Sequence, residues 1–132
     1  MIEKIKTYKG NTLALEVIDE FTGTDEKLAQ KFFKEKVEEG FDYVNVLVKL
    51  DELNVSKSKT KVFMEDIIWI LRNYRQIGNI AIVAHSKILK ALIPIDNIFF
   101  ERLQKGYQER YFDITQLEEA FQFVAPNEYE PS

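Results

Sequence analysis

The stretch "IAIVAHSKIL" (residues 80–89) contains the clearest sign of the chain's architecture. Its first five residues are an uninterrupted apolar run of strand length, which is typical of a strand covered on both faces in parallel pairing. Helical spacing resumes at Ser86, and Pro94 interrupts the helix that follows. The stretch therefore predicts a buried central strand that leads through a turn into a helix.

Strands and helices alternate on both sides of this central strand. Two runs at 2–8 and 12–18, separated by Gly10 and Asn11, predict an antiparallel hairpin. The remaining segments predict a helix from a Thr24 N-cap to Gly40, a strand at 43–50, a helix from Ser58 to Gln76 with Gly78 as its stop, a strand at 107–114 and a helix with Thr115 as N-cap.

This order of elements predicts an α/β fold. We expect a four- or five-stranded, mostly parallel sheet with an N-terminal antiparallel hairpin and four helices. The chain carries no internal repeat and no linker, so we expect a single domain at residues 1–125. Residues 126–132 are expected to form a flexible C-terminal tail.

Composition limits the classes of function that the chain can have. The 132 residues are 45% hydrophobic and 30% charged with a net charge of −4, which predicts one core and a solvated surface. No basic region is present, which argues against binding to nucleic acid. There is no cysteine and no apolar run of about 18 residues, so we expect neither thiol chemistry nor a transmembrane segment. A cytoplasmic location is the default expectation.

The sequence Ala84-His85-Ser86 raises the question of a serine hydrolase. Such enzymes place their nucleophile on a strand-to-helix turn that reads Gly-x-Ser-x-Gly, but Ala84 and Ile88 replace the two glycines here. His85 is the only histidine and is adjacent to Ser86, whereas the general base of a triad approaches its serine from another loop. We therefore expect Ser86 to cap the following helix, and a hydrolase using Ser86 is kept only as an alternative to be tested.

Other catalytic or metal-binding arrangements have little support in the sequence. Ser56 and Lys59 have the spacing of a Ser–Lys dyad, but the accompanying Ser-Asp-Asn and Lys-Thr-Gly motifs are absent. With one histidine and no cysteine, only carboxylates remain as metal ligands. We therefore predict no catalytic residue, no metal site and no cofactor. His85 stays a candidate ligand residue because open α/β sheets bind ligands at the carboxyl ends of their strands.

The predicted helix from Ser58 carries more apolar residues than one buried face requires. Its main stripe consists of Phe63, Ile67, Ile70, Leu71 and Tyr74. At about 100° per residue, Trp69 falls roughly 140° from the centre of that stripe, and Val62 lies near it. Met64 and Ile68 widen the apolar arc. Either the helix is buried more deeply, or these four side chains form a contact surface for a partner, of which a homodimer is the simplest.

The segment "KILKALIPIDNIFFERL" (residues 87–103) is also more apolar than a single stripe requires. A helix interrupted by proline above a sheet can leave an apolar cavity that takes a lipid tail, and ordinary core packing is the alternative. The candidate ligand-binding residues are His85, Ser86, Ile88, Leu92, Phe99 and Phe100.

Two stretches carry a resemblance to a known family, "GNIAIVAHSKILKAL" (78–92) and "ERYFDITQLEEAFQFV" (109–124). In these stretches and in the order of its elements, the chain resembles the SpoIIAA-like family, small bacterial domains related to STAS and SEC14/CRAL-TRIO modules. The family's turn more usually reads Gly-Asp-Ser where this chain has Ala84-His85-Ser86. The resemblance implies a four- or five-stranded sheet with helices on one main side and no established enzymatic activity.

The resemblance also draws attention to the loop "LDELNVSKSKTKVF" (50–63). Anti-sigma-factor antagonists of the STAS type carry a phosphorylatable serine in the matching loop, in an Asp-Ser-Ser-Gly setting that this chain lacks. The resemblance makes Ser56 and Ser58 candidate phosphorylation sites. A phosphate on Ser58 would lie at a helix N-terminus, where negative charge is favourable.

The sequence as a whole predicts a domain that acts by binding and not by catalysis. The first hypothesis is a STAS-like protein-interaction module that forms a homodimer or docks on a regulatory protein through the Trp69 helix. The second is a SEC14-like carrier that holds an apolar or lipid ligand between the sheet and residues 88–100.

Overall fold

A computed structural model of the chain describes residues 1–7, 10–50, 60–88 and 108–126. Within these residues the strands are β1 (Ile2–Thr7), β2 (Thr12–Val17), β3 (Val44–Leu50), β4 (Ile77–Ala84) and β5 (Glu109–Asp113). The helices are α1 (Gly23–Glu38), α2 (Thr60–Asn73) and α3 (Leu117–Val124), and a 3-10 turn (Ile114–Gln116) precedes α3. A further helical turn begins at Ser86 and is described as far as Ile88.

The described strands form one five-stranded sheet in the order β1-β2-β3-β4-β5. β1 and β2 pair antiparallel, with Ile2 opposite Val17, and the other neighbours pair parallel. Helices α1 and α2 connect β2 to β3 and β3 to β4, because parallel neighbours need a long crossover. The predicted α/β fold with an N-terminal hairpin on a mostly parallel sheet is therefore confirmed.

Side chains on the two faces of the sheet pack against different helices. Val46 and Val48 of β3 belong to the core cluster that α1 and α2 cover, whereas Leu47 belongs to a cluster that includes residues of α3. Successive strand residues point to opposite faces, so a strand covered on both sides must be apolar throughout. The run at 80–84 is buried at every position, as predicted.

Buried side-chain hydrogen bonds fix the end of α3 to the sheet. The hydroxyl of Thr12 and the side-chain amide of Asn45 both donate to the carbonyl oxygen of Val124, at 2.9 and 3.0 Å. The amide oxygen of Asn45 accepts a bond from the backbone N–H of Asn79 at 2.8 Å. A buried polar group without a partner costs about 1–3 kcal/mol. These bonds therefore allow Thr12 and Asn45 to be buried beneath the helix.

Two predicted helix caps lie at other residues in the structure. Thr22, and not Thr24, is the N-cap of α1: its side chain accepts from the N–H of Asp25, whose carboxylate accepts from the N–H of Thr22. Before α3, Asp113 caps the 3-10 turn in place of Thr115 and accepts from the Thr115 N–H at 3.0 Å. Each region contains two residues suited to capping, and sequence spacing alone does not choose between them.

The two predicted helix stops differ in outcome. Gly40 follows the end of α1, and its φ of 101° lies in the left-handed region that favours glycine. Gly78 is not a helix stop, because α2 ends at Asn73 and Gly78 lies inside β4. β4 begins at Ile77, which pairs with Val44 of β3. The apolar run at 80–84 located this strand but not its first residues.

Candidate functional site

A cavity of about 510 Å³ lies between one face of the sheet and the helices α1 and α2, and we call it the helix cavity. Four strands supply its floor: Ile2, Leu13, Leu15, Val17, Val46, Val48 and Ile77. All of these side chains are buried. The floor is therefore a continuous aliphatic surface.

The walls of the helix cavity are also mainly hydrocarbon. The apolar wall residues are Phe21, Ala29, Phe33, Ile67, Ile70 and Leu71. In each helix these residues recur three or four positions apart, so α1 and α2 each turn one apolar stripe toward the sheet. Ala29 has the smallest side chain among them, so a larger residue there would project into the cavity.

The helices α1 and α2 contact each other at both ends of the helix cavity. Near their starts, a Cβ atom added to Gly23 would lie 3.4 Å from the ring of Phe63. Near their ends, the rings of Phe33 and Tyr74 meet edge to face with their centroids 4.9 Å apart. The early residues of α1 thus meet the early residues of α2, and the two helices run in the same direction.

The mouth of the helix cavity opens between the two helices. Gln30 and Lys34 lie one turn apart on α1, and Trp69 and Asn73 lie one turn apart on α2. All four side chains are exposed, and Trp69 is 65% exposed in spite of its size. The side-chain amide of Asn73 donates to the carbonyl oxygen of Trp69 at 2.8 Å. The cavity therefore combines a hydrocarbon interior with a polar entrance.

Acidic residues lie at the start of α1 and in the middle of α2. Burial and the negative charge of Asp66 raise the pKa of Glu26 above its ordinary value of 4.5. Burial also acts to raise the pKa of Asp25, but hydrogen bonds from Thr22 outweigh it and the pKa is lowered. Lys34 is the cationic residue among the described residues that line the cavity. Charge along the groove between the helices therefore changes sign from acidic to basic.

Two of the four contact residues predicted on α2 are exposed in the structure. Trp69 is 65% exposed and Val62 is 54% exposed, and they lie seven residues apart on the same side of the helix. For these two residues the alternative of deeper burial is wrong. Trp69 also lines the helix cavity, whereas Val62 does not. The side chains of Met64 and Ile68 lie outside the described part of the structure.

The ligand residues predicted in the turn after β4 do not line the helix cavity. His85 and Ser86 are exposed, and Ile88 is buried in the core cluster beneath α1 and α2. The helical turn begins at Ser86 itself, so His85, and not Ser86, is the residue before the turn. The backbone carbonyl oxygen of His85 accepts from the N–H of Ile88 at 2.9 Å. Five further predicted residues lie outside the described residues: Ser56, Ser58, Leu92, Phe99 and Phe100.

Asp113 lies near His85, where β4 and β5 end together. Hydrogen bonds from the side chain and the backbone of Thr115 lower the pKa of Asp113, and the charge of His85 lowers it further. The Asp113 carboxylate accepts from the Thr115 hydroxyl at 2.7 Å and from its N–H at 3.0 Å. This carboxylate therefore serves as a cap.

Sequence reasoning missed three of the four mouth residues, namely Gln30, Lys34 and Asn73. Their role depends on the separation of two helices, which periodicity within one helix does not report. One signal could have pointed to them: on each helix a pair of residues four apart borders the apolar stripe.

Two absences hold for the described residues, 1–7, 10–50, 60–88 and 108–126. In these ranges no three or more acidic or histidine side chains come together in a way that could hold a metal ion. In the same ranges no helix has the length and apolar character needed to cross a membrane.

Comparison with curated proteins and with solved structures gives no match. Comparison with protein families matches residues 12–125 to the family described as SpoIIAA-like. The matched range runs from the first residue of β2 to the residue after α3, so it includes the parallel part of the sheet and both of its helical layers. The chain therefore belongs to the SpoIIAA-like family.

Proposed function

We propose that this protein is a binding domain without a chemical step, and that it holds an apolar small molecule in the helix cavity. Membership of the SpoIIAA-like family supports a domain of the regulatory or binding kind. The observation that carries the proposal is the helix cavity itself, about 510 Å³ with hydrocarbon floor and walls and a mouth that opens to solvent.

The size and lining of the helix cavity favour a ligand. Protein interiors are normally packed without voids much larger than a water molecule, so ordinary core packing does not account for this space. Small-molecule sites are concave, mostly apolar and typically about 300–1,000 Å³ in volume, with a few polar groups that orient the ligand. The helix cavity has each of these properties.

The chemistry of the lining supports binding and not turnover. Among the described lining residues only Lys34 and Tyr74 can titrate, and both are exposed. The buried side chains among the described lining residues are Leu, Ile, Val, Ala and Phe, none of which acts as a nucleophile, acid or base.

The proposal can be tested with the fluorescence of Trp69, the only tryptophan in the chain. Because Trp69 lies at the mouth, a ligand that enters the helix cavity should change its emission in a saturable way. We expect protein stripped of apolar molecules to bind dodecanol below its solubility limit, and gently purified protein to carry an apolar molecule that native mass spectrometry detects.

Two variants distinguish the helix cavity from nonspecific surface binding. Ala29→Leu projects an isobutyl group into the cavity and should abolish saturable binding without unfolding the domain. Glu35→Leu adds the same group at an exposed position of α1 that does not line the cavity, and it should bind as the unmodified protein does. Binding that survives Ala29→Leu, or no saturable binding by the unmodified protein, would contradict the proposal.

A second candidate function is docking of a protein through α2, as the sequence first suggested. The observation in its favour is the pair of exposed apolar side chains, Val62 and Trp69, on one side of the helix. A homodimer is the simplest partner, and light scattering of the unmodified protein at increasing concentration measures it. Val62→Ser should lower the apparent mass while ligand binding persists, because Val62 does not line the helix cavity. A monomeric mass at every concentration contradicts the homodimer.

A further inference from the structure

The mouth of the helix cavity presents mainly hydrogen-bond donors. Lys34 contributes an ammonium group, Trp69 an indole N–H, and Gln30 an amide with two donor hydrogens and one acceptor oxygen. Within the described residues none of these three side chains has a hydrogen bond or ion pair, so all are available to a ligand. Asn73 differs, because its amide nitrogen is engaged by the carbonyl oxygen of Trp69.

The two ends of the groove between α1 and α2 carry charges of opposite sign. Glu26 in the first turn of α1 lies near Asp66 in the middle of α2, and the charge of Asp66 raises the cost of charging Glu26. Two turns further along α1, Lys34 lines the mouth, as Asn73 of α2 does. A negatively charged group is thus repelled from one end of the groove between the helices and attracted to the other.

We infer that the ligand is a long-chain amphiphile with an anionic, oxygen-rich head, such as a fatty acid, an inference that rests on the function proposed above. Its hydrocarbon tail lies on the aliphatic floor of the helix cavity. Its carboxylate lies at the mouth, paired with Lys34 and accepting hydrogen bonds from Gln30 and the indole of Trp69. An uncharged or cationic head satisfies fewer of these donors.

Three ligands that share one tail and differ in the head test this inference: dodecanoate, dodecanol and dodecylammonium. Binding to the full chain is measured by calorimetry and by Trp69 emission, each below the micelle-forming concentration. We expect dodecanoate to bind about fivefold more tightly than dodecanol, since an exposed ion pair contributes modestly, and dodecylammonium to bind most weakly. Added salt should weaken the binding of dodecanoate and leave dodecanol unchanged.

Variants at two lysines of α1 separate charge at the mouth from charge elsewhere. Lys34→Met keeps the apolar stem and removes the ammonium, so dodecanoate should lose its advantage while dodecanol binds as before. Lys34→Glu should reverse the preference toward dodecylammonium. Lys31→Met, at an exposed position that does not line the cavity, is the matched control and should leave the order of the three ligands unchanged.

The outcomes identify which idea fails. If none of the three ligands binds, the proposed function is overturned, and the inference fails with it. If all three bind with equal affinity, the cavity takes apolar ligands but the anionic head is wrong. If Lys34→Met weakens all three equally, Lys34 acts through the structure of the helix and the head-group inference is overturned.

Discussion

The two faces of the sheet are packed in different ways. On the face toward α3, the side chains of Ala14, Ala81 and Ala120 are completely buried, and hydrogen bonds from the sheet hold the carbonyl of Val124. On the face toward α1 and α2, larger aliphatic side chains form the surface of the sheet, yet about 510 Å³ of space remains. The face with the smaller side chains is the closely packed one.

The difference follows from what each helix contacts. Small side chains let α3 lie directly on the sheet, and buried polar bonds fix its position. α1 and α2 instead touch each other at both ends of the helix cavity, through Gly23 and Phe63 and through Phe33 and Tyr74. Both faces contain buried core residues, and the face toward α1 and α2 also contains the helix cavity.

The largest expected effect comes from adding the same side chain to each face. Ala14→Leu places extra methyl groups in a close-packed layer and should destabilise the domain by about 1–3 kcal/mol or more. Ala29→Leu places them in the helix cavity and should change stability by less than about 1 kcal/mol. Urea unfolding of both variants measures the difference. Equal losses would show that the cavity has no room for a side chain from α1.

The next effect tests the hydrogen bonds on the α3 face. Asn45→Ala removes the acceptor of the Asn79 N–H and one donor to Val124, so stability should fall by about 1–3 kcal/mol. Asn73→Ala, at the exposed mouth, should change stability by at most about 0.5 kcal/mol. Thermal unfolding followed by circular dichroism compares the two. A similar change in both variants would mean that the buried amide adds nothing to the closely packed face.

A smaller effect concerns the start of α1, which forms one wall of the helix cavity. Thr22→Ala removes the side chain that accepts from the Asp25 N–H and should cost about 1 kcal/mol of stability. Thr24→Ala, at the exposed second residue of the helix, should have little effect. Urea midpoints measured side by side decide which threonine is the cap. A larger loss for Thr24→Ala would return the cap to the position that the sequence first suggested.

The smallest effect is electrostatic and depends on pH. The pKa of Glu26 is raised in the folded state, so protonation of this carboxyl favours folding. Its contribution to the stability of the domain is fully present below the ordinary pKa of 4.5 and is lost as pH rises through the pKa of the folded state. Glu26→Gln should therefore stabilise the domain at pH 7 by roughly 0.2–0.5 kcal/mol, since solvent screens the charge of a partly buried side chain. The gain should vanish below pH 4.5. A gain that persists in acid would have a cause other than charge.

The fold could be predicted from the sequence where burial dictates composition. The run at 80–84 must be apolar because β4 is covered on both faces, and alternating patterns elsewhere separate strands from helices. Gly78 was misread because glycine after a helical stretch usually marks its end, whereas here pairing of Ile77 with Val44 extends the strand. The caps were misplaced because Thr22 and Thr24 are chemically equivalent until the path of the backbone is known.

The candidate site was only partly within reach of sequence analysis. The exposure of Trp69 follows from its angle to the apolar stripe of α2, which is a property of one helix. The helix cavity depends on α1, α2 and the sheet together, because its volume is set by where the two helices touch and by their distance from the sheet. Lys34 borders the apolar stripe of α1 together with Gln30, but its position at the mouth is defined only when α2 is beside it.

The hydrogen bond between Thr12 and Val124 has a consequence for folding during synthesis on the ribosome. It joins residues 112 positions apart, and the bond from Asn45 to the same carbonyl spans 79 positions. A nascent chain can pair its first strands long before Val124 has left the exit tunnel, so the surface of those strands that α3 covers stays exposed until Val124 emerges. Docking of α3 thus covers this apolar surface and protects the nascent chain from aggregation.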